Sequence, residues 1–168
     1  VGEVDVAGYA APDITILSEH LTEGGIKEFA YQQEPESIIW SRRGDGTLLG
    51  LTYRREEEIV AWHKHIIGGA FGSGQAKVES IITLPTDSGE DELYMIVKRT
   101  INGVTKQYVE VMKTFDFGSN TTAAFFVDSG LVYSGSATTT LSGLYHLEGE
   151  ELSILANGAT HADKTVSG

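Results

Sequence analysis

From residue 25 onward, apolar residues recur at every second position in short runs, and sustained helical periodicity is scarce. The runs predict strands over 26–31, 37–43, 48–54 and 59–67, then 77–84, 92–100 and 105–115. A further set follows at 122–127, 131–133, 143–147 and 152–155, in a stretch whose composition shifts to Thr, Ser, Ala and Gly. Breaks between runs are legible: Pro35, Gly44-Asp45-Gly46, the charged run 54–58, four glycines within 68–74, the acidic linker 85–91, Gly118-Ser119-Asn120, Glu148-Gly149 and Asn157-Gly158. Before them, 14–21 lies between Pro12-Asp13 and Gly24-Gly25 and fits either a short helix or an extended arm. The polar tail 163–168 is expected to lack order without a neighbour.

One phrase occurs twice. Ile38-Ile39-Trp40-Ser41-Arg42-Arg43-Gly44-Asp45-Gly46-Thr47-Leu48-Leu49-Gly50-Leu51-Thr52-Tyr53 is answered by Met95-Ile96-Val97-Lys98-Arg99-Thr100-Ile101-Asn102-Gly103-Val104-Thr105-Lys106-Gln107-Tyr108-Val109-Glu110. In each, an apolar strand ends in a basic pair and an Asp-Gly or Asn-Gly turn leads into a second alternating strand, a favoured hairpin sequence because tight turns need positive φ. Adding 57 to Gly46 gives Gly103, a spacing near that of propeller blades and related arrays, in which each unit buries its apolar face against a neighbour.

The predicted fold is therefore mainly β: antiparallel meander units resembling propeller blades, with a sandwich or barrel of the same strands as the alternative. One domain, 1–168, is expected, with repeat-like units at about 25–67, 77–115 and 122–158. Alternation over 59–67 puts Val60, Trp62 and Ile66 on one side and Ile59, Ala61, His63, His65 and Ile67 on the other. Trp40, Leu51, Tyr53, Trp62, Ile81, Tyr94, Val97 and Tyr108 are predicted core residues. The tips Asp45, Gly46, Asn102 and Gly103 are predicted to be available for contacts.

Composition narrows the chemistry. The chain lacks cysteine, which rules out disulfides, thiolate metal sites and cysteine nucleophiles. With 24 acidic against 12 basic residues the net charge is −12, a field that opposes tight binding of nucleic acid. No apolar run approaches the roughly 20 residues of a membrane helix, so no membrane span is expected. Val1 opens inside ordinary sequence without a signal-peptide pattern, so a fragment of a longer protein is expected.

His63-x-His65 is the one candidate metal pair, because a two-residue step along a strand sets both imidazoles on one face; no third ligand lies nearby, and a polar patch on an exposed strand is the simpler reading. Asp87-Ser88-Gly89-Glu90-Asp91-Glu92 is rich in oxygen ligands but lacks calcium-loop spacing and reads as a solvated loop. Arg43-Gly44-Asp45 spells an adhesion tripeptide that the hairpin already explains, and Asn120-Thr121-Thr122 is a common acceptor triplet for glycosylation. There is no G-x-S-x-G, P-loop or H-E-x-x-H motif, so no catalytic residue and no cofactor is assigned and no enzymatic activity is expected.

Three blocks carry a family resemblance: Phe29-Ala30-Tyr31-Gln32-Gln33-Glu34-Pro35-Glu36-Ser37-Ile38-Ile39-Trp40, then Arg43-Gly44-Asp45-Gly46-Thr47-Leu48-Leu49-Gly50-Leu51-Thr52-Tyr53, then Ala61-Trp62-His63-Lys64-His65. The likeness continues through Val78-Glu79-Ser80-Ile81, Asp91-Glu92-Leu93-Tyr94, Val97-Lys98-Arg99-Thr100-Ile101-Asn102-Gly103 and Tyr108-Val109-Glu110. It returns at Phe126-Val127-Asp128-Ser129 and Ser142-Gly143-Leu144-Tyr145-His146-Leu147-Glu148-Gly149. Across 25–158 the chain resembles the tail nozzle proteins, also called tail tubular or stabilisation proteins, of short-tailed bacteriophages and prophages. The resemblance implies propeller-like β modules in a much longer protein. It implies a ring of identical subunits beneath the portal and adaptor that extends the DNA channel and closes it until ejection.

The partners so implied are further copies, the adaptor and tail fibre or needle proteins, with DNA only as transiting cargo; the implied location is the virion, and the host cytoplasm during assembly. An acidic wall suits a conduit that must release DNA. Two rivals stay open. A tail-associated receptor or glycan binder would line a groove with exposed aromatics, and a glycan-cleaving enzyme would set two carboxylates roughly 5 to 9.5 Å apart in a cleft.

Overall fold

The computed structural model describes residues 13–116, 118–119 and 126–168. The chain is mainly β. Four strands, β1 (Ile26–Gln32), β2 (Ile38–Arg43), β3 (Leu48–Arg54) and β4 (Ile59–His65), form an antiparallel sheet in sequence order. After a small hairpin of β5 (Ala70–Phe71) and β6 (Gly74–Gln75), three more strands form a second antiparallel meander: β7 (Lys77–Pro85), β8 (Asp91–Ile101) and β9 (Val104–Met112). No sheet closes into a barrel among the described residues. The two meanders coincide with the first two expected units, because alternating strands and Gly- or Asp-containing turns agree on the same boundaries there.

The meanders share one core. Ile38, Trp40 and Leu48 from the first sheet pack with Val78, Ile81, Leu93, Met95 and Val97 from the second, and Ile67 and Ala76 of the connection join them. Burying each of the Ile, Leu, Val and Met side chains contributes about 1.5–3 kcal/mol. The sheets meet mainly through β1 and β7. There, Ser80 donates to Glu28 Oε1 at 2.8 Å and Thr83 to the Tyr31 carbonyl at 2.7 Å, so the polar atoms along the seam are paired.

Several expected core residues lie elsewhere. Trp40, Leu51, Ile81 and Val97 are buried as predicted, but Tyr53 is exposed and Trp62, Tyr94 and Tyr108 are half-buried. Trp62 and Tyr53 stand on the face of the first sheet turned away from the second, together with Leu49 and Leu51. Segment 13–23 lies against that side: the Trp62 indole donates to the Ile14 carbonyl at 3.1 Å and Arg43 Nη1 to the Leu21 carbonyl at 3.0 Å. Alternation could not orient β4, because apolar residues occupy both of its faces. The face carrying His63 and His65 turns inward.

Neither expectation for 14–21 holds whole. Only Glu19–Thr22 is helical, one turn (α1) that stops at Gly24 and Gly25, both at positive φ; so short a segment has no independent helical stability.

The third expected unit is not a meander. No strand forms at 126–127, 131–133 or 143–147, and Tyr145–Leu147 is instead a single 3₁₀ turn. The remainder of the predicted strand at 122–127 and the Asn120 triplet lie outside the described residues. A lone hairpin follows, β10 (Glu151–Ala156) and β11 (Ala159–Thr165), turning at Asn157-Gly158 with both residues at positive φ. Strand β11 draws the first half of the tail expected to lack order into a ladder, since Thr165 pairs with Glu151. Segment 128–147 is laced onto the second sheet and the 68–69 bend: Leu147 is buried, Tyr108 donates to the Tyr145 carbonyl at 3.2 Å, and the Gly68 amide donates to the Asp128 carbonyl at 3.1 Å.

Candidate functional site

Cross-strand register places the histidine pair. Gly50 lies opposite both Trp40 and His63, while Leu48 lies opposite Arg42 and His65, so these side chains occupy adjacent rows on the inner face of the first sheet. Glycine at position 50 makes room: a Cβ there would come within 2.1 Å of His63 Cε1. The Trp40 ring lies 5.0 Å from His65 and 5.8 Å from His63, and its indole donates to Gln32 Oε1 at 2.8 Å.

The two imidazoles satisfy each other. His63 Nδ1 and His65 Nε2 are 2.7 Å apart and share a hydrogen bond, with Thr52 Oγ1 3.3 Å from His63 Nε2. Such a bond needs a nitrogen lone pair, so both rings cannot be charged at once. Burial holds the His63 pKa below its usual value, and burial plus the His63 charge takes His65 down to about 4. Near neutral pH this is a neutral, internally bonded pair against a tryptophan. No group of three or more His, Asp or Glu side chains suited to a metal occurs among the described residues. The pair is thus half-buried packing and not the exposed polar patch that the sequence suggests.

The paired hairpin corners differ. Ile101 and Val104 flank a two-residue turn with Asn102 at φ 51° and Gly103 at φ 75°, and this tip is open. The other corner has a three-residue loop. The Gly46 amide donates to the Arg43 carbonyl at 2.9 Å, the Arg43 amide to the Thr47 carbonyl at 2.9 Å, and only Gly46 is left-handed. Those bonds describe a type I turn with a glycine bulge. Asp45 bridges Arg43 at 2.7 Å and accepts from the Thr47 amide at 3.0 Å, and the Arg43 guanidinium holds its carboxyl well below the ordinary range.

Gly46, expected at an open tip, is buried, because its added Cβ position lies 2.7 Å from Lys77 Cβ. Asp45, Asn102 and Gly103 are the exposed members of the predicted four. Two clefts flank the buried corner. One, of about 190 Å³, lies between Asp45, Thr47, His65, Ile67 and Lys77. The other, of about 310 Å³, is lined by Arg42, Phe71, Lys77, Glu79 and Lys98, with the Lys98 ammonium 4.8 Å from the Phe71 ring centre.

A buried ion pair was not singled out in the sequence. Arg99 is fully buried; its Nε donates to the Gly68 carbonyl at 2.8 Å, its Nη2 to Glu110 Oε2 at 3.1 Å, and its Nη1 to Glu110 Oε1. Position 99 continues the inward series Leu93, Met95, Val97, so alternation alone held the signal. The acidic loop at 87–92 is tied down through Asp91, whose Oδ2 accepts from the Gln33 amide at 2.7 Å and the Glu34 amide at 3.3 Å.

Large apolar side chains stand exposed on both outer sheet faces: Phe29, Tyr31, Tyr53 and Val60 on the first, Ile82, Leu84, Ile96 and Val109 on the second. No described helix is long and apolar enough to cross a membrane. No protein-family model matches this sequence, and no curated protein matches it.

Proposed function

We propose that this chain is a structural domain of a bacteriophage or prophage tail nozzle, forming or supporting an oligomeric DNA conduit beneath the portal and adaptor. The carrying observation is the pair of consecutive antiparallel meanders, packed through one core, within the stretch whose residues resemble that family. The exposed Ile82, Leu84, Ile96 and Val109 on the outer face of the second sheet suit a unit that packs on neighbours, and the net charge of −12 suits a surface past which DNA slides without being held. In this reading the protein has no catalytic role, its partners are further copies, the adaptor and fibre or needle proteins, and it resides in the virion.

A glycan binder would set aromatics in a groove. Of the exposed aromatics, Phe29, Tyr31 and Tyr53 lie on the outer side of the first sheet and Phe115, Phe126, Tyr133 and Tyr145 lie outside the strands, and of Phe, Tyr and Trp only Phe71 lines either flanking cleft. The test is electron microscopy of the parent gene product. Rings that bind the adaptor support the proposal, and a persistent monomer with glycan-hydrolysing activity overturns it.

A further inference from the structure

Both copies of the repeated phrase carry a basic pair, and the fold uses the two members of each pair differently, because neighbours along a strand stand on opposite faces. Arg43 is tied into the first corner by Asp45 and the Leu21 carbonyl, and Arg99 is buried against Glu110 and the Gly68 carbonyl. The residues just before them, Arg42 and Lys98, line one cleft together, the one of about 310 Å³ beside Phe71.

Lys77 joins them from β7. The register sets it directly opposite Lys98, and like charges so placed destabilise an antiparallel ladder. Both ammoniums lie near the Phe71 ring, at 5.7 and 4.8 Å from its centre, so two cations share one aromatic platform. Carboxylates offset this charge only in part. Glu79 accepts from Lys98 and from the Gln107 side chain, and Glu28 takes Arg42 Nε at 3.2 Å, but among the described residues Lys77 has no carboxylate partner. Asp45, which also lines the cleft, is bridged by Arg43. Lys27 has no carboxylate partner among the described residues either, and its Cε lies 3.2 Å from where a Cβ on Gly44 would stand, at the same corner. Five of the chain's 12 basic residues therefore converge here, on a protein of net charge −12.

We infer that this cleft binds a phosphate group, either the free ion or the end of a small phosphate monoester. Walls around a group of like charges focus their field inside the cleft, against the acidic mean of the surface. Arg42, Lys77 and Lys98 come from three strands, which suits three terminal oxygens better than the two of a carboxylate. Glu28 engages only Nε of Arg42, so the terminal nitrogens are left for a forked contact. A long nucleic acid fits less well, since its other phosphates would meet excess negative charge beyond the corner.

The test follows backbone amide NMR shifts of the whole 168-residue chain while inorganic phosphate, glycerol phosphate or acetate replaces chloride at constant ionic strength. Amides at 44–46, 71–72, 77–79 and 98 should move together and saturate with either phosphate ligand, and the tighter of the two tells the free ion from the ester. Lys77→Gln should weaken binding roughly tenfold, the worth of one charge-assisted hydrogen bond, and Glu79→Gln should tighten it by removing the competing carboxylate. Lys164→Gln, on the separate β10–β11 hairpin, removes the same charge and should change binding by less than about twofold. Circular dichroism checks the folding of each variant. Shifts of the unaltered chain that never saturate overturn the inference, as does acetate binding as tightly as phosphate, a loss in Lys164→Gln equal to that in Lys77→Gln, or no gain in Glu79→Gln. A duplex oligonucleotide that moves the same amides at lower concentration than phosphate overturns it as well.

Discussion

Removing Glu110 should expose how much the second sheet depends on one buried charge. Arg99 has no solvent contact, and Glu110 takes both of its terminal nitrogens. Glu110→Ala leaves a guanidinium bonded only to the Gly68 carbonyl, and stranding a buried charge costs about 3–5 kcal/mol. The Glu110 side chain keeps 20% of its exposure, so water can enter and the loss should sit near 3 kcal/mol, still a large share of the roughly 5–15 kcal/mol that stabilises a domain. In urea, with a slope of about 2 kcal/mol per molar, the midpoint should fall by about 1.5 M. Arg99→Met with Glu110→Leu removes both charges and leaves the Gly68 carbonyl unpaired, a cost of about 1–3 kcal/mol set against the desolvation relieved, so the double variant should lie closer to the unaltered chain than Glu110→Ala does. A loss below about 1 kcal/mol for Glu110→Ala, or a double variant worse than the single, would refute this account of the pair.

Three further outcomes follow. His63 and His65 have lowered pKa values in the folded state, so the unfolded chain takes up protons more readily; stability should be full above about pH 6.5 and decline toward pH 4, by at most about 1.4 kcal/mol per pH unit per proton. His146 titrates in the same sense, so the diagnostic is His65→Gln, which should flatten the slope of urea midpoints between pH 6.5 and 5, and an unchanged slope would remove the pair as its source. Gly46→Ala should cost more than Gly103→Ala in urea unfolding: both carry left-handed strain of about 1–2 kcal/mol, but only the first also drives a methyl into Lys77, adding roughly 1–3 kcal/mol, and equal losses would contradict the buried corner. Ser41 is buried with no partner for its hydroxyl among the described residues, so Ser41→Ala should be neutral or raise the urea midpoint, and a loss above about 1 kcal/mol would show that the hydroxyl is bonded.

Strands were legible where two local signals agreed. Between 26 and 112 every predicted strand formed with its ends within three residues, because alternation and turn chemistry pointed the same way. Beyond 118 the apolar residues come in short runs or singly among Thr, Ser and Gly, and without a fixed period they could not separate strand from irregular chain; Tyr145 to Leu147 is a turn that packs on Tyr108. The inward turn of His63 and His65 depended on Gly50, whose missing side chain matters only once β3 and β4 are in register. The third loop residue, Gly44, was the overlooked sign that the first corner is wider than the second.

The seam between the two sheets is also pinned at both of its ends. At one, the Val78 amide bonds the Gly46 carbonyl; at the other, Asp91 takes the Gln33 and Glu34 amides on its carboxylate and sends its own amide to the Glu34 carbonyl. A hinge needs one free end, and here neither is free, so a motion that parts the meanders has to break polar bonds at both corners together.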